Sequence, residues 1–407
     1  MKRLLLWMLM ISILPICSFV SADGPPLKAA FIRNDDLWVK DGAKEVKITN
    51  GAYVRYPKWS KDGKWLAYLQ GKVDSSLWIY NFRLKKSFPL QVNASNNFQW
   101  SSTEDHKIGF QVNNNLFVAD AMTLAKRQIA SNVKNFSWLP NESGLLISKK
   151  ENKKLISNII LSKILFNTNG GNHMLIEQRF FTVPVGTEEI VVSTSEFKWS
   201  HDRKWLSFIL EPTASISADS NTLCLLSSDG RVFKRVEEML DYGDWLQWAP
   251  TKNILGYIGG IGREALKGKQ LYLVSAPSFK QVALSPKGYV DRGLAWVNNE
   301  TVLAVRTKES EWMTDYTKRP MPHLVEIGLA DHQGKQVTFP SIQEGDFAPQ
   351  VIGKKVFWVR TNRERANVYV SGIEKVMGKV WIKDIAVSST YYEKWYWDEV
   401  FSVYKGQ

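Results

Sequence analysis

The chain has 407 residues, 44% of them hydrophobic and 23% charged, and 53 Lys and Arg against 40 Asp and Glu give a formal net charge of +13. That composition excludes a disordered or low-complexity polymer, and two Cys and five His exclude a disulfide scaffold and a histidine-rich metal binder. Seventeen Trp and 26 Gly against 15 Pro point to a turn-rich, aromatic-rich β protein.

Lys2 and Arg3 precede an apolar run from Leu4 to Leu14, interrupted only by Ser12. Pro15 breaks the run, and Val20-Ser21-Ala22 supplies small residues before Asp23. This is the layout of a secretory signal peptide, residues 1–22, cut after Ala22. The run is too short for a membrane span, which needs about 20 apolar residues. Leu14-Pro15-Ile16-Cys17 has Leu where a lipoprotein signal needs it, but bulky Ile16 stands where Gly, Ala or Ser belongs, which argues against lipid anchoring at Cys17. Cys224, between Leu223 and Leu225, reads as a small buried hydrophobe rather than a nucleophile.

Removing residues 1–22 takes away two basic residues and no acidic one, which leaves a charge of +11. An exported protein this basic is drawn to anionic envelope polymers or lipid headgroups, not to nucleic acid. Its basic pairs, such as Lys85-Lys86, Lys126-Arg127 and Lys354-Lys355, are scattered and fit a solvated surface better than a dedicated polyanion groove.

Downstream, the chain repeats itself. Lys58-Trp59-Ser60-Lys61-Asp62-Gly63-Lys64-Trp65-Leu66 returns as Lys198-Trp199-Ser200-His201-Asp202-Arg203-Lys204-Trp205-Leu206, with seven of nine positions identical. Weaker copies start at Trp100, Trp138, Trp248 and Trp296, and a degenerate one near Pro349. Each unit reads as four strands. Strand A ends in the Trp, strand B is apolar, strand C alternates as in Leu77-Trp78-Ile79-Tyr80, and strand D is polar. Asp62-Gly63 supplies the turn between A and B, the Asp bonding its own backbone and the Gly taking the positive φ. Arg203 stands at that Gly position in the second strong copy, at a cost near ~1 kcal/mol. The Trp is expected to be buried between adjacent sheets.

Units of this length that stack on one another make a β-propeller, here over residues 23–407. Ala29 to Ile32, Leu37 to Val39 and Val46 to Ile48 look like strands B, C and D without an A. Tyr391 and Trp397 are spaced like Tyr53 and Trp59 and like Tyr242 and Trp248. The segment from Tyr391 to Asp398 is therefore expected to be the missing strand A, so that the C-terminal strand closes the ring on the N-terminal ones. The count is eight blades, with seven as the alternative because the fourth unit is long and the seventh copy degenerate.

The Trp-Ser-x-Asp-Gly-Lys-Trp-Leu run followed by Leu-Trp-Ile-Tyr resembles the TolB-type, WD-like propeller repeat, over about residues 27–400. The same repeat type occurs in propellers of prolyl oligopeptidase-like and dipeptidyl-peptidase-IV-like enzymes and of some pectate-fragment lyases. The resemblance implies fold rather than function. TolB resembles an α/β domain followed by a six-bladed ring. Here the repeats begin within ten residues of the expected cleavage site, so the chain looks like a stand-alone secreted TolB domain-containing protein.

The chain has no Gly-x-Ser-x-Gly elbow. His106, His173, His201, His323 and His332 lack metal-ligand spacing, and Asp219-Ser220-Asn221 lacks the rest of a calcium loop, so neither metal nor cofactor is expected. In a propeller the B–C and D–A connections share one face. The long B–C connections, Glu211 to Thr222, Ile261 to Gln270, Thr307 to His323 and Thr361 to Asn367, put elaboration on that face, where binding usually lies. Its D–A segments carry Tyr53, Arg55, Tyr242, Asp244, Trp245, Asp291, Arg292 and Asp346. Arg55 and Arg292 are candidates to grip an anionic group at the channel mouth, and interblade salt bridges are the structural alternative. These readings together describe an exported, monomeric, non-enzymatic propeller that binds a peptide, a protein or an anionic envelope glycan. The rivals are a polysaccharide lyase-like enzyme acting at the channel mouth and a structural envelope scaffold.

Overall fold

Val54–Trp59, Trp65–Gln70, Ser76–Asn81 and Lys86–Gln91 pair as four antiparallel strands of one sheet, strand B buried nearly throughout and strand D the most exposed. The computed structural model describes residues 27–102, 104–140, 144–153, 156–167, 174–186 and 189–406. Among them this unit occurs eight times, and the eight sheets form an eight-bladed β-propeller. The expected leader, Cys17 and His173 lie outside the described residues.

Blade 1 joins Phe401–Val403 to Lys28–Arg33, Asp36–Asp41 and Lys44–Lys47, and blade 2 is the unit above. The inner strands A of blades 3 to 8 are Phe98–Trp100, Val133–Trp138, the split pair Ser193–Thr194 and Lys198–Trp199, Leu246–Trp248, Tyr289–Asn298 and Gly345–Ile352. The long fourth unit is one blade with extended strands, Gly144–Lys153, Ile156–Asn167 and Met174–Val183. In the degenerate unit Val351 stands where blades 2 to 7 carry Trp, three residues after the bulge at Ala348.

The A–B turns owe their shape to local chemistry. Ser60 Oγ donates to Asp62 Oδ1 at 2.7 Å, Asp62 Oδ1 accepts the Lys64 amide at 3.0 Å, and Ser60 Oγ accepts the Trp65 amide at 3.0 Å. Ser200, Asp202, Lys204 and Trp205 repeat the set, and Ser227-Ser228-Asp229-Gly230 repeats it in the C–D turn of blade 5. Use at two kinds of turn marks the motif as turn chemistry. Arg203 takes φ +62° at the position of Gly63, which has φ +66°.

Adjacent blades are latched by the repeat Trp. Trp100 Nε1 donates to the Lys58 carbonyl at 2.9 Å, Trp138 Nε1 to Gln99 at 3.1 Å, Trp248 Nε1 to Lys198 at 3.0 Å and Trp296 Nε1 to Gln247 at 2.9 Å. The acceptor is always the residue before the Trp of the preceding blade. That residue's side chain often reaches forward. Lys58 Nζ donates to the Phe98 carbonyl at 3.0 Å, Gln99 Nε2 to Phe136 at 2.9 Å and Lys198 Nζ to Leu246 at 3.1 Å. Trp138 and Trp296 are buried, but Trp59 and Trp199, expected to be buried, are half-exposed. Both end strand A where the blade meets its A–B turn, Trp59 against the rings of Phe82 and Tyr404.

Ring closure corrects one expectation. The C-terminal strand does pair with the N-terminal ones, but it is Phe401–Val403 and not Tyr391–Asp398. Trp59 Nε1 donates to the Ser402 carbonyl at 3.1 Å, which extends the latch pattern across the seam. Trp397–Val400 forms one helical turn, and the segment before it folds back on itself.

Two stability outcomes are expected. Trp296→Ala should cost about 3–5 kcal/mol in chemical denaturation. Trp199→Ala should cost clearly less, because its ring is half-exposed and its Nε1 has no acceptor among the described residues. Arg203→Gly should raise stability by up to about 1 kcal/mol, since glycine takes the positive φ without steric strain; a lower midpoint would contradict the strain.

Candidate functional site

The four long B–C connections lie side by side on one face and are bonded to one another. Arg263 Nε donates to Asp219 Oδ1 at 2.7 Å and its backbone amide to the same oxygen at 3.1 Å, which joins the connections of blades 5 and 6. Asp219, the first residue of the calcium-like triplet, is thus an arginine partner. Among the described residues no group of three or more His, Cys, Asp or Glu is arranged to hold a metal. The Gly268 amide donates to Glu309 Oε1 at 2.8 Å and the Ser310 amide to the Leu266 carbonyl at 3.1 Å, joining blades 6 and 7. Arg363 reaches from blade 8 to the Arg319 carbonyl of blade 7 at 3.0 Å. Within the blade 6 connection the fully buried Lys269 donates to the Ile261 and Lys267 carbonyls at 2.6 and 3.0 Å, and burial pushes its ammonium pKa down to about 8.

Residues 388–396 fold into a hairpin against the same face. Ser389 bridges Trp395, the Tyr396 amide donates to the Ser388 carbonyl at 3.0 Å, and the Thr390 amide donates to Lys394 at 3.0 Å. Glu393 turns the tip at φ +55°. Its carboxylate is nearly closed off from solvent and meets three guanidinium groups: Arg363 at 2.9 Å, Arg292 at 3.4 Å and Arg319 at 3.5 Å. Arg292 Nη2 also donates to the Glu393 carbonyl at 3.1 Å. Lys394 Nζ donates to the Asp241 carbonyl at 2.9 Å and lies 4.4 Å from the Tyr242 ring centre. Trp312 packs on Tyr391 and Tyr392, with Arg319 3.6 Å above its ring, and Tyr391 stays 61% exposed at the rim.

The residues singled out from sequence fall into three groups. Tyr242, Asp244, Trp245 and Arg292 come together with Phe347, Glu393, Trp395 and Trp397 around a cavity of about 20 Å³, room for one water. Asp291 and Asp346 are wholly buried as bidentate partners of Arg306 (2.9 and 2.8 Å) and Arg360 (2.7 and 2.9 Å), at equivalent steps of blades 7 and 8. Tyr53 and Arg55 stand apart on blade 2, where Arg55 donates to Asp35 at 2.9 Å and stacks 4.2 Å from the Tyr53 ring. Each candidate arginine therefore has its own carboxylate, Asp35 for Arg55 and Glu393 for Arg292.

Sequence reasoning missed Glu393, Arg319, Arg363 and Glu211. Glu211 ends strand B of blade 5 beside Asp241. Burial first, and then the like charge of Asp241, push its carboxyl up to about 7. Asp244 is pushed up to about 6 by the surrounding protein and by the like charge of Asp398. Lys58 and Lys198 are held below the usual lysine range, also by burial. Burial raises the Cys224 thiol as well, consistent with an unreactive core residue.

No family model and no curated protein matches the sequence. Among solved structures the chain is similar to Porphyromonas gingivalis dipeptidyl peptidase 4, with a TM-score of 0.56 and 11% identity over 89% of this chain and 60% of that one. It is also similar to a puromycin-hydrolyzing peptidase of Mycobacterium tuberculosis, at 0.52 and 9% over 82% and 54% of the two chains. TolB from Acinetobacter baumannii aligns at 0.40 and 13% over 63% and 62%. The chain thus spans little more than half the length of the two peptidases. At these identities the likeness is one of propeller fold.

Proposed function

We propose that the chain is an exported β-propeller that binds an envelope protein, a peptide or an anionic envelope glycan on its loop-rich face, and that it works by recognition. The observation that supports this most is the concentration of elaboration on one face. Four neighbouring connections are hydrogen-bonded into a continuous rim, and the 388–396 hairpin is clamped on top of them. A rim ordered before any ligand arrives does not spend binding energy on ordering loops. The exposed aromatics Tyr391 and Tyr316 add contact area at low entropic cost. The basic n-region, apolar run and small residues ahead of Asp23 support export, and among the described residues no helix is long and apolar enough to cross a membrane.

In this reading Asp291 and Asp346 are struts that shape the mouth, Arg292, Tyr242, Asp244 and the buried Trp245 line it, and Tyr53 and Arg55 lie apart on blade 2. Sedimentation with purified cell-wall polymer and capture of solubilised envelope proteins test the face. Tyr316→Ala should weaken whichever interaction is found at least tenfold, at a stability change within about 0.5 kcal/mol for an exposed residue. Retention of all binding by Tyr316→Ala would move the ligand elsewhere.

One observation favours a second reading, an enzyme acting on polysaccharide: Glu211, with its pKa near 7, sits beside Asp241 as a candidate proton carrier. Turnover of a polymer panel, lost in Glu211→Gln, would establish it. Stability supplies an independent check on the carboxyl. A pKa raised from 4.5 to about 7 on folding means that the native state holds this proton more tightly than the unfolded chain. The stabilisation is complete below 4.5 and lost as pH rises through 7. Glu211→Gln should therefore lift the thermal midpoint at pH ~8 relative to pH ~5, compared with the parent protein. Parallel pH profiles would remove the perturbed carboxyl.

A further inference from the structure

The hairpin clamp has more donors than acceptors. Three guanidinium groups, with side chains only 2%, 3% and 10% exposed, surround the single carboxylate of Glu393. Arg319 spends further donors on the Met313 carbonyl at 2.6 Å and the Tyr391 carbonyl at 3.3 Å. Asp244 lines the same cavity, but Arg292 gives its ion pair to Glu393. Around this group the indole Nε1 atoms of Trp312, Trp395 and Trp397 are buried with no acceptor among the described residues. Trp397 is 5% exposed and lines the cavity that Arg292 and Glu393 share. Surplus positive charge and orphaned N–H donors in one place are both costly, and an anion rich in acceptors relieves both.

The hairpin is also fastened in a way that can be undone. Between Ala386, whose amide donates to the Ile32 carbonyl at 2.8 Å, and Phe401, which begins the closing strand, every backbone–backbone hydrogen bond among the described residues stays within the segment. Side chains do the fastening: the Glu393 clamp, the Lys394 contact with Asp241, and the stack of Phe347, Trp395 and Trp397. The tip can therefore leave without opening any blade ladder.

We propose that Arg292, Arg319 and Arg363 form a carboxylate-binding site at the channel mouth, that Glu393 occupies it as a built-in ligand, and that an acidic peptide side chain displaces the hairpin tip to bind there. A peptide is favoured over an acidic sugar because the site already holds one: a glutamate in a Tyr-Tyr-Glu-Lys turn fits with its carboxylate on the arginines, its own carbonyl on Arg292 and tyrosines on Trp312. The proposal rests on the loop-rich face being the binding face, and it adds the chemistry read there.

The test uses the whole protein with Glu393→Ala. Its thermal midpoint should fall, and propionate should restore at least half of the loss, whereas chloride at the same ionic strength should not; the parent protein should respond to neither. Equal rescue by the two anions, or an equal response of the parent, overturns the site. A hexaglutamate peptide should bind Glu393→Ala on the order of tenfold more tightly than the parent, since no internal carboxylate competes. Should Glu393→Ala not fold, the parent decides: hexaglutamate should speed amide exchange at Glu393 and Tyr396 but not in the blades. No change in exchange overturns displacement. A hexagalacturonate that speeds this exchange where hexaglutamate does not overturns the peptide assignment. Failure here leaves the Tyr316→Ala result untouched, so the two readings fail separately.

Discussion

The ring depends on one repeated interaction, the indole N–H of a strand-A Trp donating to the backbone carbonyl just before the Trp of the previous blade, or just before Val403 at the seam. A blade buries its faces only against its neighbours, so stability is a sum of such contacts around the ring. The bond sets the angular register of one sheet on the next, because a donor at a fixed atom must meet an acceptor at a fixed residue. It also satisfies the N–H of a large apolar ring at an interface where an unpaired donor would be costly. The forward reach of Lys58, Gln99 and Lys198 to the next blade makes three of these steps two-way. Two of those donors are lysines whose charge is set into the ring wall, and burial lowers their pKa accordingly.

Blades 7 and 8 add buried ion pairs to the ring. Blade 8 carries Val351 at the Trp position, and there Asp346 and Arg360 form a bidentate pair across strands A and B. Blade 7 has the same pair at the same step, Asp291 with Arg306, and Arg306 also reaches back to the Leu284 carbonyl of blade 6. These are the blades on which the hairpin rests. The neighbouring Arg292 and Phe347, one residue past each aspartate, face it directly.

The blades were legible because their signals are local. Ser-x-Asp shapes its own turn within six residues, so its recurrence at Ser60 and Ser200 marked equivalent corners wherever the rest of the chain went. The closing strand was misplaced because a Tyr six residues ahead of a Trp is a spacing, not a mechanism. The run from Tyr391 satisfies it while folding as a hairpin, and the strand that seals the ring, Phe-Ser-Val, is three residues long with no Trp. The candidate site was half legible for the same reason. Position on D–A segments was enough to gather Tyr242, Asp244, Trp245 and Arg292. What the arginine meets there, Glu393, lies 101 residues away in sequence, and no local pattern links the two.

A buried cluster of three arginines and one glutamate is a poor way to gain stability. Taking each charge out of water costs several kcal/mol, and apolar residues of the same volume would hold a hairpin as well or better. Such a cluster offers selectivity: only a group of the right charge and planar shape satisfies the guanidinium forks, and a wrong one leaves them unpaired. The apolar part of the fastening, Phe347 with Trp395 and Trp397, already lies beneath the hairpin base and gives the segment its position. The charged part adds a lock at the tip that a competing carboxylate can turn. On the proposed reading a mouth closed in this way is specific before it is open, and the latches that hold the ring take no part in its opening.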